Sequence, residues 1–430
     1  AESEADRRGR RGSRRGLFRR GAGLAAGAWA AARLMGPGVV AAPDAPGAND
    51  RVTVGFIGTG GRGQQLMRQL PADARIAALC DCFVTRSEEA KARHRADWDI
   101  YQDYRKVLER KDIEAFVIAT TDHGRVLPCI RACQAGKDVY AEKPLTVTIR
   151  EGRALVNAVR RHRRIFQVGT QQRSMEMNDF ACAFVRNGGI GKVHTVQCHN
   201  YPGPGVYTGL PEEPKPDGLD WDLWIGPTEL RPYHARLQFG WMGWRDYSGG
   251  EMTNWGAHGL DQVQWALGFS LSGPVEIRPA TAGPNGQVSM RYANGTEVRI
   301  ELEQGPLGGA VFHGEKGAIE IDRNRYAATP PELIVDPPHA ALADKWQAAD
   351  WPADQHLRNW IMCVKSRKLP VADVEIGHRS VSVCHLANIA REIGRPLAWD
   401  PDREIFPGDA EANAFLARPR RAAHELPAEA

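Results

Sequence analysis

Val52-Thr53-Val54-Gly55-Phe56-Ile57-Gly58-Thr59-Gly60-Gly61-Arg62-Gly63 is the stretch that decides the fold. Its first six residues are apolar and β-rich, the length of a strand buried on both faces of a parallel sheet. They run straight into Gly58-Thr59-Gly60-Gly61-Arg62-Gly63, a GxGxxG, and then into the helix-forming Gln64 to Leu70. Strand, glycine turn and helix in that order are the context the dinucleotide fingerprint requires. One glycine makes the tight turn, one admits a pyrophosphate to the backbone, and one lets helix and strand pack closely. The anion then sits at the helix N-terminus, where unpaired N–H groups and the helix dipole attract it.

The next strand, Ile76 to Cys80, ends at Asp81, 18 residues past Gly63. A carboxylate there accepts hydrogen bonds from an adenosine ribose and repels a 2′-phosphate, which favours NAD over NADP. Arg86 nearby argues the other way, and Asp81 also suits a plain turn or helix cap. Strand-like Glu114–Thr120, helical Val126–Ala135 and strand-like Asp138–Ala141 continue the alternation, so the chain opens with a doubly wound α/β domain.

Working outward, 430 residues suggest two domains and a tail. Hydrophobic residues are 42% and charged residues 25%, which excludes a disordered or fibrous chain. No stretch approaches the ~18 consecutive apolar residues of a membrane-spanning helix. Nine of the 56 basic residues and five of the 52 acidic ones fall in residues 1–50, so the remainder balances at 47 of each. A neutral body is not built for nucleic acid, whose phosphates need a basic surface. The eight cysteines show neither CxxC pairs nor a zinc pattern and sit in apolar stretches. They read as free thiols, and no metal is expected.

In residues 1–50, Ser13-Arg14-Arg15-Gly16-Leu17-Phe18 resembles a twin-arginine export signal. A weakly apolar run, Gly21–Ala32, and the small residues Val39-Val40-Ala41-Ala42 follow in the order such a leader needs. The expectation is a periplasmic or otherwise exported protein that meets the twin-arginine translocase in transit. A basic arm for an acidic surface is the alternative. Because that route carries folded proteins, it points to a tightly held cofactor.

Tyr140-Ala141-Glu142-Lys143-Pro144-Leu145 closes the nucleotide half. With Gly136-Lys137, Val168-Gly169-Thr170-Gln171-Gln172-Arg173-Ser174 and Asn254-Trp255-Gly256-Ala257-His258-Gly259-Leu260-Asp261, it resembles the glucose–fructose oxidoreductase / inositol dehydrogenase (Gfo/Idh/MocA) family over residues 51–430. The resemblance implies an α/β fold: an N-terminal Rossmann NAD-binding domain over 51–172, then a C-terminal α/β domain over 173–430 with a large, mostly antiparallel open sheet. It also implies a homo-oligomer, dimer or tetramer, with the active site between the domains. Gly58, Gly60, Gly61, Arg62, Gly63, Asp81, Thr120, Asp122, His123, Glu142 and Lys143 are the expected cofactor contacts.

Lys143, Asn254 and His258 are the catalytic candidates. The proline after Lys143 bars the α conformation and admits a cis bond, which aims the ammonium at the carboxyl edge of the sheet. There it can polarise a carbonyl or stabilise an alkoxide; a surface lysine paired with Glu142 is the plain alternative. His258 lies four residues after Asn254, so a helix puts both on one face. The family usually has Asp where this chain has Asn254, which can orient an imidazole but brings no charge. His258 could equally be a satisfied core residue near Trp255 and Trp265. Thr120-Thr121-Asp122-His123-Gly124-Arg125 departs from the family pattern at Thr121, Gly124 and Arg125. Arg173 and Tyr201 are candidate substrate contacts, since polar and aromatic groups suit sugar hydroxyls and ring faces; Asp261 joins them from its motif.

Further along, Asn294-Gly295 between alternating segments signals a hairpin. Leu357–Ser366 and Val381–Ile393 read as helices, and the Pro-rich stretches 202–216 and 328–338 as loops. The expected activity is NAD-dependent hydride transfer on a sugar, cyclitol or keto-sugar. The alternatives are a glycosidase of the same fold, working by transient oxidation, elimination and water addition, and a non-catalytic NAD- or sugar-binding protein.

Overall fold

Val52–Ile57 is buried at every residue and forms the first strand, β1, at the centre of a six-stranded sheet in the computed structural model. The structure describes residues 50–335, 337 and 352–427. The twin-arginine segment, the run Val39–Ala42 and part of the 328–338 stretch lie outside the described residues.

β1 is flanked by β2 (Ala74–Cys80) and β4 (Ala115–Ile118), with β3 (Asp99–Tyr101) beyond β2 and β5 (Asp138–Ala141) and β6 (Phe166–Val168) beyond β4. The order is β3-β2-β1-β4-β5-β6, and every pairing is parallel. Strands buried on both faces lose the polar alternation of a half-exposed sheet, which is why β1, β4 and β5 read as apolar runs. Chain direction across the sheet reverses between β1 and β4. The crevice outside the carboxyl ends of those two strands is where such sheets bind ligands.

The second sheet has eight strands among the described residues. Its strands are β7 (Val193–His199), β8 (Glu276–Pro279), β9 (Val288–Arg291), β10 (Glu297–Leu302), β11 (Ala310–Gly314), β12 (Gly317–Asp322), β13 (Arg325–Thr329) and β14 (Leu397–Ala398). They run in the order β13-β12-β11-β7-β10-β9-β8-β14, antiparallel except for β7 against β10. The Asn294-Gly295 turn joins β9 to β10 as expected, with Asn294 Oδ1 accepting from the Thr296 N–H at 3.0 Å. One face carries the helices Glu176–Arg186, Gly256–Leu267 and Val374–Ile393 over a core that includes Val196, Ile300, Phe312 and Leu260.

Two helices correct the sequence reading. Asp354–Ser366, assigned to the second half, returns to the first sheet, where Leu357, Trp360 and Ile361 pack with Val52, Phe56 and Tyr140. A helix from the later half of the chain thus completes the packing on one face of the first sheet. The last long helix begins at Val374, capped by Asp373, and not at Val381. Val374 and Val381 enter the first core while Val383, Leu386 and Ala387 enter the second. A helix clamped between two cores is apolar nearly all round, so its start carries no one-sided stripe. The stretch expected to be a loop from 328 begins inside β13.

Candidate active site

The glycine turn is shaped by contacts that leave no room for side chains. Gly58 has φ +90° and its N–H donates to the Cys80 carbonyl at 2.8 Å. A Cβ on Gly63 would stand 2.2 Å from the Gly58 carbonyl oxygen, so the helix Gly61–Gln69 can begin this close to the turn only with glycine there. Gly61 has open space around it and is not required sterically. Asp81, at the end of β2, is buried, and its Oδ2 accepts from the Thr59 N–H (2.8 Å) and Oγ1 (3.2 Å). It thus braces the turn and also faces the cavity beyond it.

That cavity, about 520 Å³, runs along the carboxyl edge of the first sheet. Gly58, Gly60, Gly61, Arg62 and Asp81 line one part, joined by Arg86; Thr120, Asp122, His123, Arg125, Glu142, Lys143, Asn254 and His258 line another. Gly63 is absent from the wall because its role is to seat the helix.

Glu142 is buried with Arg62 Nε at 2.8 Å and the Lys143 N–H at 3.1 Å. Burial opposes its ionisation, but Arg62 and Lys143 outweigh that and hold its carboxyl below the usual range. Lys143 follows on a cis bond to Pro144, and its Nζ donates to Asn254 Oδ1 at 2.6 Å and to the Asn254 carbonyl at 3.3 Å. Burial pulls the ammonium down to about 8, with Arg125 and Arg62 adding to burial against the opposing pull of Glu142 and Asp122. Near neutrality Lys143 is a cation that can also give up its proton.

Asn254 ends the helix Glu251–Asn254, and its Nδ2 donates to Glu251 Oε2 at 3.0 Å. Both ends of the amide are therefore engaged, and the imidazole four residues on is held by neither. His258 lies in the first turn of Gly256–Leu267, edge-on to Trp255 at 5.8 Å. It is 3% exposed, and its Nδ1 finds no hydrogen-bond partner among the described residues. Burial first, then the positive charges of Arg323, Lys143 and Arg62, push it well below the ordinary histidine value. It is a neutral base at the cavity wall.

The Thr120–Arg125 loop is held by its departure from the family pattern. Arg125, 2% exposed, donates to the carbonyls of Pro144 and Thr120 and approaches Asp122 Oδ1 at 3.3 Å. Asp122 Oδ2 also accepts from Ser248 Oγ at 3.0 Å; burial nonetheless raises its carboxyl to about 6. His123 Nε2 donates to the Trp224 carbonyl at 2.8 Å, and its ring meets Trp224 and Tyr247 edge-on. Burial takes it down to about 4, so it is a neutral wall residue.

All three expected substrate contacts lie outside the cavity wall. Arg173 is buried against Asp261, with Nε 2.8 Å from Oδ2 and Nη2 2.9 Å from Oδ1, and Ser380 Oγ completes the carboxylate at 2.6 Å. Removing one partner from such a pair costs about 3–5 kcal/mol, which marks it as structural. Tyr201 is 1% exposed within the second core, its hydroxyl donating to the Leu307 carbonyl at 2.8 Å.

Sequence reasoning missed the cover of the site. Trp221 and Trp224 stack at 4.5 Å, and Trp224 and Trp241 line the cavity. The segment before them is tied to the first domain: Val84 donates to the Gly218 carbonyl (3.0 Å) and Asp220 to that of Cys82 (2.8 Å). The chain's last described residues return there too, with the Arg421 N–H on the Pro227 carbonyl and His424 in the wall. Four tryptophans within Trp221–Trp244 were the available signal. All eight cysteines are free.

Comparison with known proteins agrees with this arrangement. The NAD-binding Rossmann fold of an oxidoreductase family (Gfo/Idh/MocA) matches residues 52–170, and the C-terminal alpha/beta domain of the same family matches residues 205–426. A 2,7-anhydro-N-acetylneuraminate hydratase from Mediterraneibacter gnavus is 26% identical over 295 residues, 63% of this chain and 67% of that one. An inositol 2-dehydrogenase from Salmonella typhimurium is 27% identical over 123 residues, 28% of this chain and only 37% of the relative. Among solved structures, aldose-aldose oxidoreductase from Caulobacter crescentus superposes with TM-score 0.56 at 17% identity, covering 81% of this chain and 99% of that one. At that identity the likeness is one of fold.

Proposed function

The chain belongs to the Gfo/Idh/MocA oxidoreductase family, and we propose that it is an NAD-dependent oxidoreductase of a sugar, cyclitol or keto-sugar. The observation that carries the reading is one cavity holding the glycine turn, Lys143 and His258, whose Nδ1 has no hydrogen-bond partner among the described residues. The residues fit the cofactor: a glycine turn closed to any Cβ at Gly63, a helix N-terminus for the diphosphate, and Asp81 for the ribose. When bound, NAD accepts or returns hydride at a carbon of the substrate. Lys143 would hold the oxygen on that carbon, its ammonium favouring the developing alkoxide. His258, neutral through the physiological range, would take the hydroxyl proton, and its low basicity would make it ready to return that proton in reduction.

Asp81 supports NAD over NADP, and the cover of Gly218–Asp220, Trp224 and His424 supports a cofactor that stays bound between turnovers. A resident cofactor also suits the second reading, elimination and water addition with no net redox change, which the hydratase relative favours. Export rests on Arg14 and Arg15; replacing both with Lys should abolish appearance outside the cytoplasm. Assembly as a dimer or tetramer rests on the family resemblance.

The test is protein purified with its cofactor and offered a sugar and polyol panel. A change in reduced-nicotinamide absorbance with substrate supports the oxidoreductase. Product without net absorbance change supports the elimination route. Binding with neither refutes both.

A further inference from the structure

Several basic groups gather around His258 at the cavity wall. His258 faces Arg62 from the helix after the glycine turn, Lys143 from the end of β5, Arg323 from the turn between β12 and β13, and His356 from the helix Asp354–Ser366; each disfavours its protonation. The carboxylates around it are engaged elsewhere. Glu142 holds Arg62 at 2.8 Å, and Asp122 is shared by Ser248 and Arg125. Asp322 takes Arg325 Nη2 at 3.0 Å together with the Gly308 and Arg323 N–H groups, and Glu251 takes the Asn254 amide at 3.0 Å.

Lys143 is the cation of this group that Glu142 and Asp122 draw through space but that, among the described residues, no carboxylate holds by a hydrogen bond. Its Nζ is hydrogen-bonded to two neutral oxygens of Asn254 and to no carboxylate among the described residues. An ammonium has three N–H donors, so one remains for a ligand. A second, independent feature points to the same place: the Nδ1 of His258, buried at 3% exposure and without a partner among the described residues. A half-buried ammonium with a donor to spare is completed most directly by an anion, and the imidazole beside it by a hydroxyl of the same ligand, which can donate or accept.

We propose that the substrate is a sugar acid, a hexuronate or aldonate whose carboxylate lies beside the reacting carbon, and that Lys143, left unneutralised by Asn254, determines that specificity. The inference rests on the oxidoreductase reading of this cavity. The ammonium then serves two oxygens of one ligand, the reacting one and a carboxylate one. The pairing also sets a cost for neutral sugars, which would leave the charge excess in place on closing off the water around it. Specificity of this kind comes from charges that only the right ligand cancels.

The experiment is calorimetric binding to the full chain with its cofactor, using matched pairs: D-galacturonate and D-galactose, D-glucuronate and D-glucose, D-gluconate and D-glucitol. At least one acid should bind about tenfold or more tightly than its neutral counterpart, with an advantage that shrinks at high salt. Asn254→Asp, which supplies the missing carboxylate, and Lys143→Gln, which removes the cation, should each lower the acid-to-neutral affinity ratio about tenfold. Should a variant fail to fold, the pairwise comparison and its salt dependence in the parent protein still decide. Equal affinities within every pair, no binding by any member, or an advantage indifferent to salt and to both substitutions would overturn the proposal. Nicotinamide absorbance recorded alongside separates this from the redox reading. Acids that bind without redox change refute the latter alone, and neutral sugars that react with no acid preference refute the former alone.

Discussion

Replacing Asn254 with Asp changes one atom's chemistry at the contact that governs Lys143. The amide oxygen stands 2.6 Å from Nζ, so the carboxylate needs no new space. Two opposite charges about 4 Å apart interact by about 4 kcal/mol at an effective dielectric of ~20. At about 1.4 kcal/mol per unit, that is an upper bound of roughly 3 pH units. Two features reduce it. Lys143 is half-buried, and Glu251 Oε2, now 3.0 Å from the Asn254 amide nitrogen, would face a second carboxylate. A rise of about 1–2 units is expected, within the usual range for an opposite charge at contact. The sign follows from which form acts. The ammonium is the active form and is lost as pH rises through about 8 in the parent protein. In the variant that alkaline limb of kcat/KM should lie about 1–2 units higher. Competitive acylation of Lys143, followed by mass spectrometry against pH, reads the same midpoint with no substrate. A midpoint that does not move, in a variant that is folded and holds NAD, would refute the Asn254–Lys143 contact as the control on this charge.

Three further outcomes are expected. Gly63→Ala should weaken NAD binding by about tenfold or more and cost about 1–3 kcal/mol in a denaturant titration, while Gly61→Ala, with open space around it, should do neither. Arg125→Leu strips the donor from two carbonyls and leaves Asp122 buried without its cation, so unfolding should become about 2–4 kcal/mol easier, read as a lower urea midpoint at unchanged slope. Asp81→Ala should shrink the preference for NAD over NADP in paired titrations of apo protein; an unchanged ratio would confine Asp81 to bracing Thr59.

What the sequence disclosed was local in origin. The glycine turn is legible because strand, turn and helix are consecutive, and because the requirement at Gly63 comes from the Gly58 carbonyl five residues back, although Gly58 itself is pressed by the distant backbone of Ala119 and Thr120. Lys143 is legible because Pro144 restricts it directly. Features made by distant encounters were hidden. Arg173 and Asp261 are 88 positions apart, and nothing in either segment announces that each is the other's partner and so unavailable to a ligand. The helix Val374–Ile393 was half seen because two cores share it and erase the stripe that marks a helix with one buried face. The Trp221–Trp244 cover has no periodicity, since short helices and loops place its rings.

Asn254 shows where the boundary falls. Its spacing from His258 suggests one helical surface; the structure instead ends one helix at Asn254 and places His258 in the next, both lining the cavity, and the choice of partner does not follow from the spacing. An amide with two ends takes whichever neighbours the tertiary fold brings closest, here Lys143 on one side and Glu251 on the other. The exchange of an acid for an amide therefore acts first on the charge of Lys143 and only through space on His258. A base whose nearest charges, those of Arg323, Lys143 and Arg62, are positive gains nothing from an orienting amide, but it does respond to any anion that enters. The missing carboxylate at this position is thus a property of what the cavity can receive, and the substrate's own charge becomes part of the active site.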